Sequence, residues 1–587
     1  MFYPVAHPIQ FLQGVGLIEP NPHAVLMRQF EQHAETRPNH TFLRFEDQRF
    51  SYAEANVLIN RHAHAYRELG IKHGDTVALL LDNRPEFLWH LFGLHKLGAV
   101  ASLINTHLVG DSLGHAIHIC EPRHVVVGSE LWSAFAGVRE RLSGELPASA
   151  VNVDVDPRGQ APGDVGPWNE RLVGASSSNP EQRTPVLLDD QAAYIYTSGT
   201  TGLPKAAVVR HSRFFRAATV WAGAAFRYRT SDVLYNCLPL YHANGLLLAT
   251  GSVVTAGVSM ALSRKFSRSG FWRDIRRFDA SAFIYIGELC RYLMNNPPAD
   301  NDRDHRVRVV SGNGLRPDIW RKFQRRFGIS RVAEFYGATE GNCITLNSTG
   351  VEGSVGKKMP GMALARWNEV VGDFERDARG RLVRARRGEP GVLLGRIRHR
   401  AEFDGYHDKA ASERKVVRDA FMPGDAWFNT GDLLRVDHFG NLFFVDRLGD
   451  TFRWKGENVA TSEVQEQVAT LPNVQEVNVY GVIVPGAEGR AGMAAIVLAP
   501  GAKFDAAALR QHVADGLPGY ARPIFIRLLP ELSTTSTLKL KKGDLQTQGY
   551  DPRRLNDPLF VLHPKQDQYV PLTPQLYDDI TAGRLAL

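Results

Sequence analysis

The sequence predicts an α/β protein with a large N-terminal domain of layered, mostly parallel sheets and helices, followed by a smaller α+β domain. Three observations predict it. Strand-like and helix-like runs alternate between residues 74 and 104, the alternation recurs further along, and the pattern changes past residue 450. Residues 74–81 (GDTVALLL) read as a strand, 86–97 carry a helical pattern, and 99–104 (AVASLI) read as a second strand. A strand, a crossover helix and a strand imply parallel pairing. Apolar runs at 281–286, 306–310 and 331–336 each lead into a glycine-bearing turn. In open α/β sheets ligands gather beyond the carboxyl ends of strands, so residues just after these runs are candidates for a site. Residues 144–187, rich in Pro, Ser, Gly and Asp, read as a surface excursion. Past 450, residues 474–484, 491–498 and 524–529 read as strands and 506–513 as a helix between two of them. That pattern suits a compact domain of about 110 to 140 residues.

At 587 residues the chain is too long for a single core. Its 44% hydrophobic and 22% charged residues are ordinary for a soluble globular protein. The four cysteines (Cys120, Cys237, Cys290, Cys343) are far apart with no C-x-x-C pair, which argues against a disulfide framework or a zinc knuckle and fits a reducing cytosol. Residues 1–20 lack a basic flank followed by an apolar core, so no secretory signal is expected. Residues 246–262 are interrupted by Gly251, Ser252, Thr255, Gly257 and Ser259 and read as buried core, not a membrane span. The expected location is cytoplasmic, with peripheral contact at the inner face of a membrane left open, as is self-association. Net charge is +7, with a dense basic patch holding Arg384, Arg386, Arg387, Arg396, Arg398 and Arg400. That patch reads as a solvated face, or as an attractor for lipid head groups or a phosphorylated ligand. No motif supports nucleic-acid binding.

The most informative segment is Thr197-Ser198-Gly199-Thr200-Thr201-Gly202-Leu203-Pro204-Lys205. Glycines let a backbone approach an anion, while hydroxyls and free N–H groups face its oxygens. The short apolar run before it, Ala192-Ala193-Tyr194-Ile195-Tyr196, suits a buried strand. A loop wrapping a polyphosphate is expected. It is not the G-x-x-x-x-G-K-[ST] loop, because Pro204 stands where the second glycine belongs.

Further motifs follow in order: Pro239-Leu240-Tyr241-His242, Glu334-Phe335-Tyr336-Gly337-Ala338-Thr339-Glu340-Gly341, Thr430-Gly431-Asp432 and Asp446-Arg447-Leu448-Gly449-Asp450. With the hydroxyl-rich loop they resemble the acyl-adenylate-forming superfamily over about residues 30 to 545. Tyr285-Ile286-Gly287-Glu288, Ser311-Gly312-Asn313-Gly314-Leu315-Arg316-Pro317, Arg453-Trp454-Lys455-Gly456-Glu457-Asn458-Val459 and Gly489-Arg490-Ala491-Gly492-Met493-Ala494-Ala495 are similar to the fatty acid transport protein branch, also called very-long-chain acyl-CoA synthetases.

The resemblance implies two half-reactions: a fatty acid carboxylate attacks the α-phosphate of ATP, giving acyl-AMP and pyrophosphate, and coenzyme A thiol then displaces AMP. It assigns Thr197, Ser198, Gly199, Thr200, Thr201, Gly202 and Lys205 to the phosphates, and Glu340 with Thr200 to Mg²⁺. Tyr336 would stack on adenine, with Gly312, Asn313 and Gly314 leaving room for it, and Gly337 and Thr339 belong to the same nucleotide pocket. Asp432 would accept from the ribose hydroxyls and Arg447 would reach the ribose or the α-phosphate. His242 would border the substrate carboxylate, and Leu246, four residues on, would line an acyl tunnel. The catalytic lysine of the superfamily falls on Lys539, with Lys541 and Lys542 as neighbours that keep the choice open, because the usual proline and glycine before it are missing. Gly449 would be the pivot of a mobile C-terminal domain, dividing the chain at 1–448 and 449–587. A CoA ligase for a steroid-type acid, and a fatty acid uptake protein at a membrane, are the alternatives.

Overall fold

The computed structural model describes residues 8–144, 146–159, 162, 165–197, 203–368, 371–398, 403–454, 457–487, 489–534, 540–585 and 587. They form two compact units. One comprises Met1–Asn313, Phe323–Gly350 and Ile397–Val416; the other comprises Gly314–Lys322, Val351–Arg396 and Val417–Leu587.

Among the described residues the first unit holds fourteen strands: β1 (Thr41–Phe45), β2 (Gln48–Ser51), β3 (Thr76–Leu80), β4 (Val100–Leu103), β5 (His124–Gly128), β6 (Val151–Asp154), β7 (Gln191–Thr197), β8 (Lys205–Arg210), β9 (Val233–Asn236), β10 (Ser259–Leu262), β11 (Ala282–Ile286), β12 (Val309–Asn313), β13 (Arg331–Gly337) and β14 (Ile344–Asn347). Six of them form a sheet in the order β6-β5-β3-β4-β7-β8, parallel except for the β7–β8 hairpin. The other eight run β14-β13-β12-β11-β9-β10-β1-β2, antiparallel only at the two edges. The expected crossover is present: β3 and β4 are joined by the helix Pro85–Leu97, which starts on a proline and stops at Gly98 in the left-handed region (φ 71°). Almost every residue of that helix is buried, so it is apolar on all sides and not striped.

The excursion at 144–187 is more than surface. Within it β6 is a fully buried strand paired parallel to β5, and Trp168 is completely enclosed. A four-residue strand between Pro/Gly-rich flanks leaves too short a period to be recognised in sequence. At the end of β6, Asp154 accepts from Arg84 Nη1 at 2.5 Å and from His90 Nε2 at 2.8 Å, while His90 Nδ1 meets the Tyr66 hydroxyl at 2.7 Å. His62 abuts the His90 ring at 4.7 Å. Both ring nitrogens of His90 and both carboxylate oxygens of Asp154 are engaged, while His62 bonds the Leu58 carbonyl through Nδ1 (2.8 Å) and leaves its buried Nε2 without a hydrogen-bond partner among the described residues.

In the second unit, Ser354–Lys357, Asn441–Arg447, Ala426–Val436, Gly391–Arg396 and Met362–Ala365 lie side by side in an antiparallel sheet. Residues past 451 have their own core around Val479, Ile496, Phe525 and Val513. It is packed on the five-stranded sheet Val474–Ile483, Arg490–Leu498, Phe525–Leu528, Leu559–His563 and Gln568–Pro571. The helix Ala506–Gly516 falls between two of these strands, as the pattern indicated. All four cysteines are free and buried, and residues 246–262 are buried throughout. Among the described residues no helix is long and apolar enough to cross a membrane. In the basic patch, Arg384 lies 3.8 Å from the centre of the Phe421 ring, so part of that charge is spent on packing; Arg400 is outside the described residues.

Candidate functional site

The hydroxyl-rich nonapeptide joins the two strands of the β7–β8 hairpin, whose last pair is Thr197 opposite Lys205. Ser198, Gly199, Thr200, Thr201 and Gly202 lie outside the described residues, but both ends of the loop are defined. The segment from Gly405 to His407 runs along the outer side of β8: Val208 N–H donates to Gly405 carbonyl (3.0 Å), and His407 N–H donates to Ala206 carbonyl (2.8 Å). This bridged segment sets the Tyr406 ring beneath Lys205, whose Nζ is 5.7 Å from the ring centre. The Tyr406 hydroxyl lies near the Glu340 carboxylate and the Thr197 hydroxyl. Burial first, then the Glu340 charge, pushes the Tyr406 phenol well above its ordinary range, so it remains a neutral donor.

Glu340 sits in a turn just beyond β13, closed by Gly341 N–H donating to Ala338 carbonyl at 3.2 Å. Arg213, on the helix His211–Val220, spans this turn with a fork: one guanidinium nitrogen donates to the Thr339 carbonyl and another to the Gly341 carbonyl. Its Nε is 3.8 Å from Asp404, which also accepts from Arg210 at 3.0 Å. Burial depresses the Arg213 guanidinium, and Asp404 and Glu340 oppose that; an arginine stays charged under such a shift. Thr197, Lys205 and Glu340, expected from sequence, are therefore gathered with three residues that sequence reading missed: Arg213, Asp404 and Tyr406. Their one sequence signal is Arg213, in the first turn of the helix that follows β8.

Among the described residues the groups here that could face a cation are oxygens: the Glu340 carboxylate and the Thr197 and Tyr406 hydroxyls. That chemistry fits a hard cation such as Mg²⁺, which is commonly held by one or two carboxylates and completed by water and phosphate. Thr200, the second expected metal ligand, is outside the described residues.

The expected nucleotide residues fall at the ends of β12 and β13. Tyr285, Gly312 and Glu334 form one row across β11, β12 and β13. A Cβ on Gly312 would stand 2.3 Å from the Tyr285 carbonyl oxygen and 2.5 Å from its ring. The missing side chain lets the Tyr285 ring lie over β12 and donate its hydroxyl to the buried Glu334 carboxylate. Gly312 thus has a reason internal to the sheet, nearer than room for a base. Asn313 accepts from Asn244 Nδ2 at 2.8 Å, and Gly314 has φ 85°, which favours glycine. Tyr336 is buried on β13, with Gly337 exposed at its end and Thr339 giving its carbonyl to Arg213. His242 is half-buried, its ring 4.6 Å from that of Tyr241. Leu246 is fully buried in a π-helical segment, Asn244–Thr250, a form that clusters at functional sites. Gly245 is needed there because a Cβ would meet the Pro239 carbonyl at 2.4 Å.

In the second unit, Asp432 pairs with Arg447 in register on neighbouring strands, Nε to Oδ1 3.6 Å. Gly449 follows with φ 93° and open space where a Cβ would go. Buried Asp446 accepts from Thr461 N–H (2.6 Å) and Thr461 hydroxyl (3.0 Å); burial raises its pKa and Lys542 offsets this. Lys542 donates to Thr461 Oγ1 (2.6 Å) and pairs with Asp450 (3.2 Å). Lys541 is exposed, and Lys539, like Lys455, is outside the described residues.

Two family models match: AMP-binding enzyme over residues 30–394 and AMP-binding enzyme C-terminal domain over residues 463–539. Among similar proteins, the medium/long-chain-fatty-acid–CoA ligase FadD6 of Mycobacterium tuberculosis is 43% identical over 97% of this chain and 93% of its own. The long-chain fatty acid transport protein 1 of Homo sapiens is 42% identical over 92% of this chain and 84% of its own. Among solved structures, the anthranilate CoA ligase AuaEII in complex with anthranoyl-AMP superposes with a TM-score of 0.76 at 24% identity, over 90% of this chain and 98% of that one. ATP-bound MatB from Rhodopseudomonas palustris gives 0.74 at 24% identity, over 89% and 98%. At such identities these two likenesses concern the fold. With both models matched in order and near full-length relatives above 40% identity, the chain belongs to the AMP-binding enzymes of the acyl-adenylate-forming superfamily, in the fatty acid transport protein branch.

Proposed function

We propose that this protein ligates a long- or very-long-chain fatty acid to coenzyme A through an acyl-AMP intermediate, consuming ATP and releasing AMP and pyrophosphate. The observation that carries it is the meeting of Thr197, Lys205 and Glu340 around Tyr406 at the mouth of the hydroxyl-rich hairpin. The printed names of the relatives support the acid class, and fully buried Leu246 suits an apolar chain, each buried CH₂ of which gains about 0.8 kcal/mol.

A carboxylate is a poor electrophile, and activation means bringing it against a polyanion. The chain's task is to offset charge at the phosphates and hold two anions in line. Lys205 and the loop hydroxyls bind the β- and γ-phosphates. Mg²⁺, when bound, neutralises phosphate charge, and Glu340 and Thr200 are the residues to hold it. Tyr336, Gly337, Thr339 and the 312–314 turn take the adenine side, Asp432 and Arg447 the ribose, and His242 borders the attacking carboxylate. Lys539 supplies a fixed positive charge at the α-phosphate, for which a compact ammonium is suited. Residues 449–587 then turn about Gly449, Lys539 withdraws, and the thiol displaces AMP. The left-handed φ of Gly449 supports a pivot there, since glycine crosses φ regions at little cost.

Pyrophosphate release by the purified protein, measured across saturated acids of graded length and a steroid-type acid, with and without coenzyme A, tests this. Release should require an acid, favour long chains and turn over continuously only with coenzyme A. Release with no dependence on acid removes the ligase reading. Saturable fatty acid binding without any release would favour a second reading, an uptake protein, which the transport-protein names of several relatives support.

A further inference from the structure

We infer that Arg213, Asp404 and Tyr406 are positioning residues that hold Glu340 and the two ends of the hydroxyl-rich loop in one fixed arrangement. The inference rests on the reading of Glu340 as a cation ligand and adds how that ligand is aimed.

Glu340 is gripped from two sides by different means. Its backbone is fixed by Arg213, whose fork takes the carbonyl on either side of it, at Thr339 and Gly341. Its side chain faces the Tyr406 hydroxyl, which also lies near the Thr197 hydroxyl. Lys205, at the other end of the loop, rests on the face of the same Tyr406 ring. Asp404 links the two grips: it lies two residues before Tyr406 and draws on both Arg210 and Arg213. Arg210 ends β8 and Arg213 lies in the first turn of the next helix, so a single carboxylate pins the 404–407 segment to the hairpin at one end, while the bridge between Tyr406 and Ala207 ties it to β8. The loop ends and the carboxylate lie far apart in sequence, yet one phenol neighbours all three.

The chemistry explains the residue types. A lysine at 213 has one compact ammonium and does not span two carbonyls as a planar fork does. A phenylalanine at 406 keeps the ring under Lys205 and removes only the hydroxyl that faces Glu340 and Thr197. Partners that orient a metal ligand typically change metal affinity by about 10- to 100-fold when removed.

The test is Mg²⁺-dependent ATP binding by the full chain, followed by tryptophan fluorescence with no acid and no coenzyme A. Glu340→Gln serves as the reference. In Tyr406→Phe the Mg²⁺ concentration for half-maximal binding should rise about 10-fold or more, with the melting temperature of the free protein near wild type and the KM for fatty acid unchanged. Arg213→Lys should shift the Mg²⁺ requirement the same way, and it stands in if Tyr406→Phe folds poorly. An unchanged requirement in both, with a raised one in Glu340→Gln, overturns the positioning role while leaving the metal reading in place. An unchanged requirement in Glu340→Gln itself overturns the metal reading and the positioning role together.

Discussion

Gly312 illustrates how a single residue carries a constraint from elsewhere in the sheet. An alanine there puts its Cβ 2.3 Å from a backbone oxygen of Tyr285, which is not the far end of a flexible side chain and does not move aside cheaply. Gly312→Ala should cost about 1–3 kcal/mol in urea unfolding, the usual range for overpacking. A loss within error of zero would mean that the strands part more readily than the geometry indicates. Buried histidines set a second expectation. Burial above all pushes His62 down to about 3 and His95 down to about 4, from 6.5 in an unfolded chain. Between those values the unfolded chain binds the extra protons, so stability is full above pH 6.5 and falls as acid is added. Each group contributes a slope of about 1.4 kcal/mol per pH unit in that window. His95→Gln should flatten the stability profile between pH 4.5 and 6.5, and an unchanged slope would contradict the account. At this scale sequence reading identified residues better than reasons. Tyr285, Gly312 and Glu334 stand in separate motifs, and only the strand order places them in one row.

At the scale of elements, the turn after Arg447 is the clearest case. Gly449 lies at φ 93° with nothing near its missing Cβ, so alanine meets strain only from the dihedral, about 1–2 kcal/mol. Proline, fixed near −65°, is excluded from this conformation altogether. Gly449→Pro should slow the two half-reactions by unequal factors, whereas Gly449→Ala should change each modestly; equal slowing in the proline variant would remove the pivot. The lysines nearby separate in the same way. Lys542 is held by Thr461 and Asp450 and offsets buried Asp446, which marks it as a tie within the second unit. Lys542→Ala should lower the melting temperature and spare acyl-AMP formation per folded molecule, while Lys539→Ala should lose acyl-AMP formation and keep thiolysis of supplied acyl-AMP. The reverse pattern would move the catalytic role to Lys542. Helices and strands were legible wherever the apolar run was long, as in residues 86–97. The strand at Val151–Asp154 was not, because its burial comes from β5 and from Arg84, both distant in sequence. Nor was the 404–407 segment, whose single bridge to β8 leaves no period of its own.

Over the whole molecule, the fold class followed from alternation and then from a late change of pattern, and the family followed from motif order; both are confirmed by the relatives and by the sheets themselves. What sequence left out is how loops from separate parts of the chain meet, which is where Arg213, Asp404 and Tyr406 enter. The whole account turns on one chemical event, the joining of a fatty carboxyl to the α-phosphate of ATP. Isotope exchange between pyrophosphate and ATP, run on the purified chain without coenzyme A, observes that event directly. Exchange should appear only when a long-chain acid is added and should fall sharply in Glu340→Gln. No exchange with any apolar acid, or the same exchange with and without one, would contradict it.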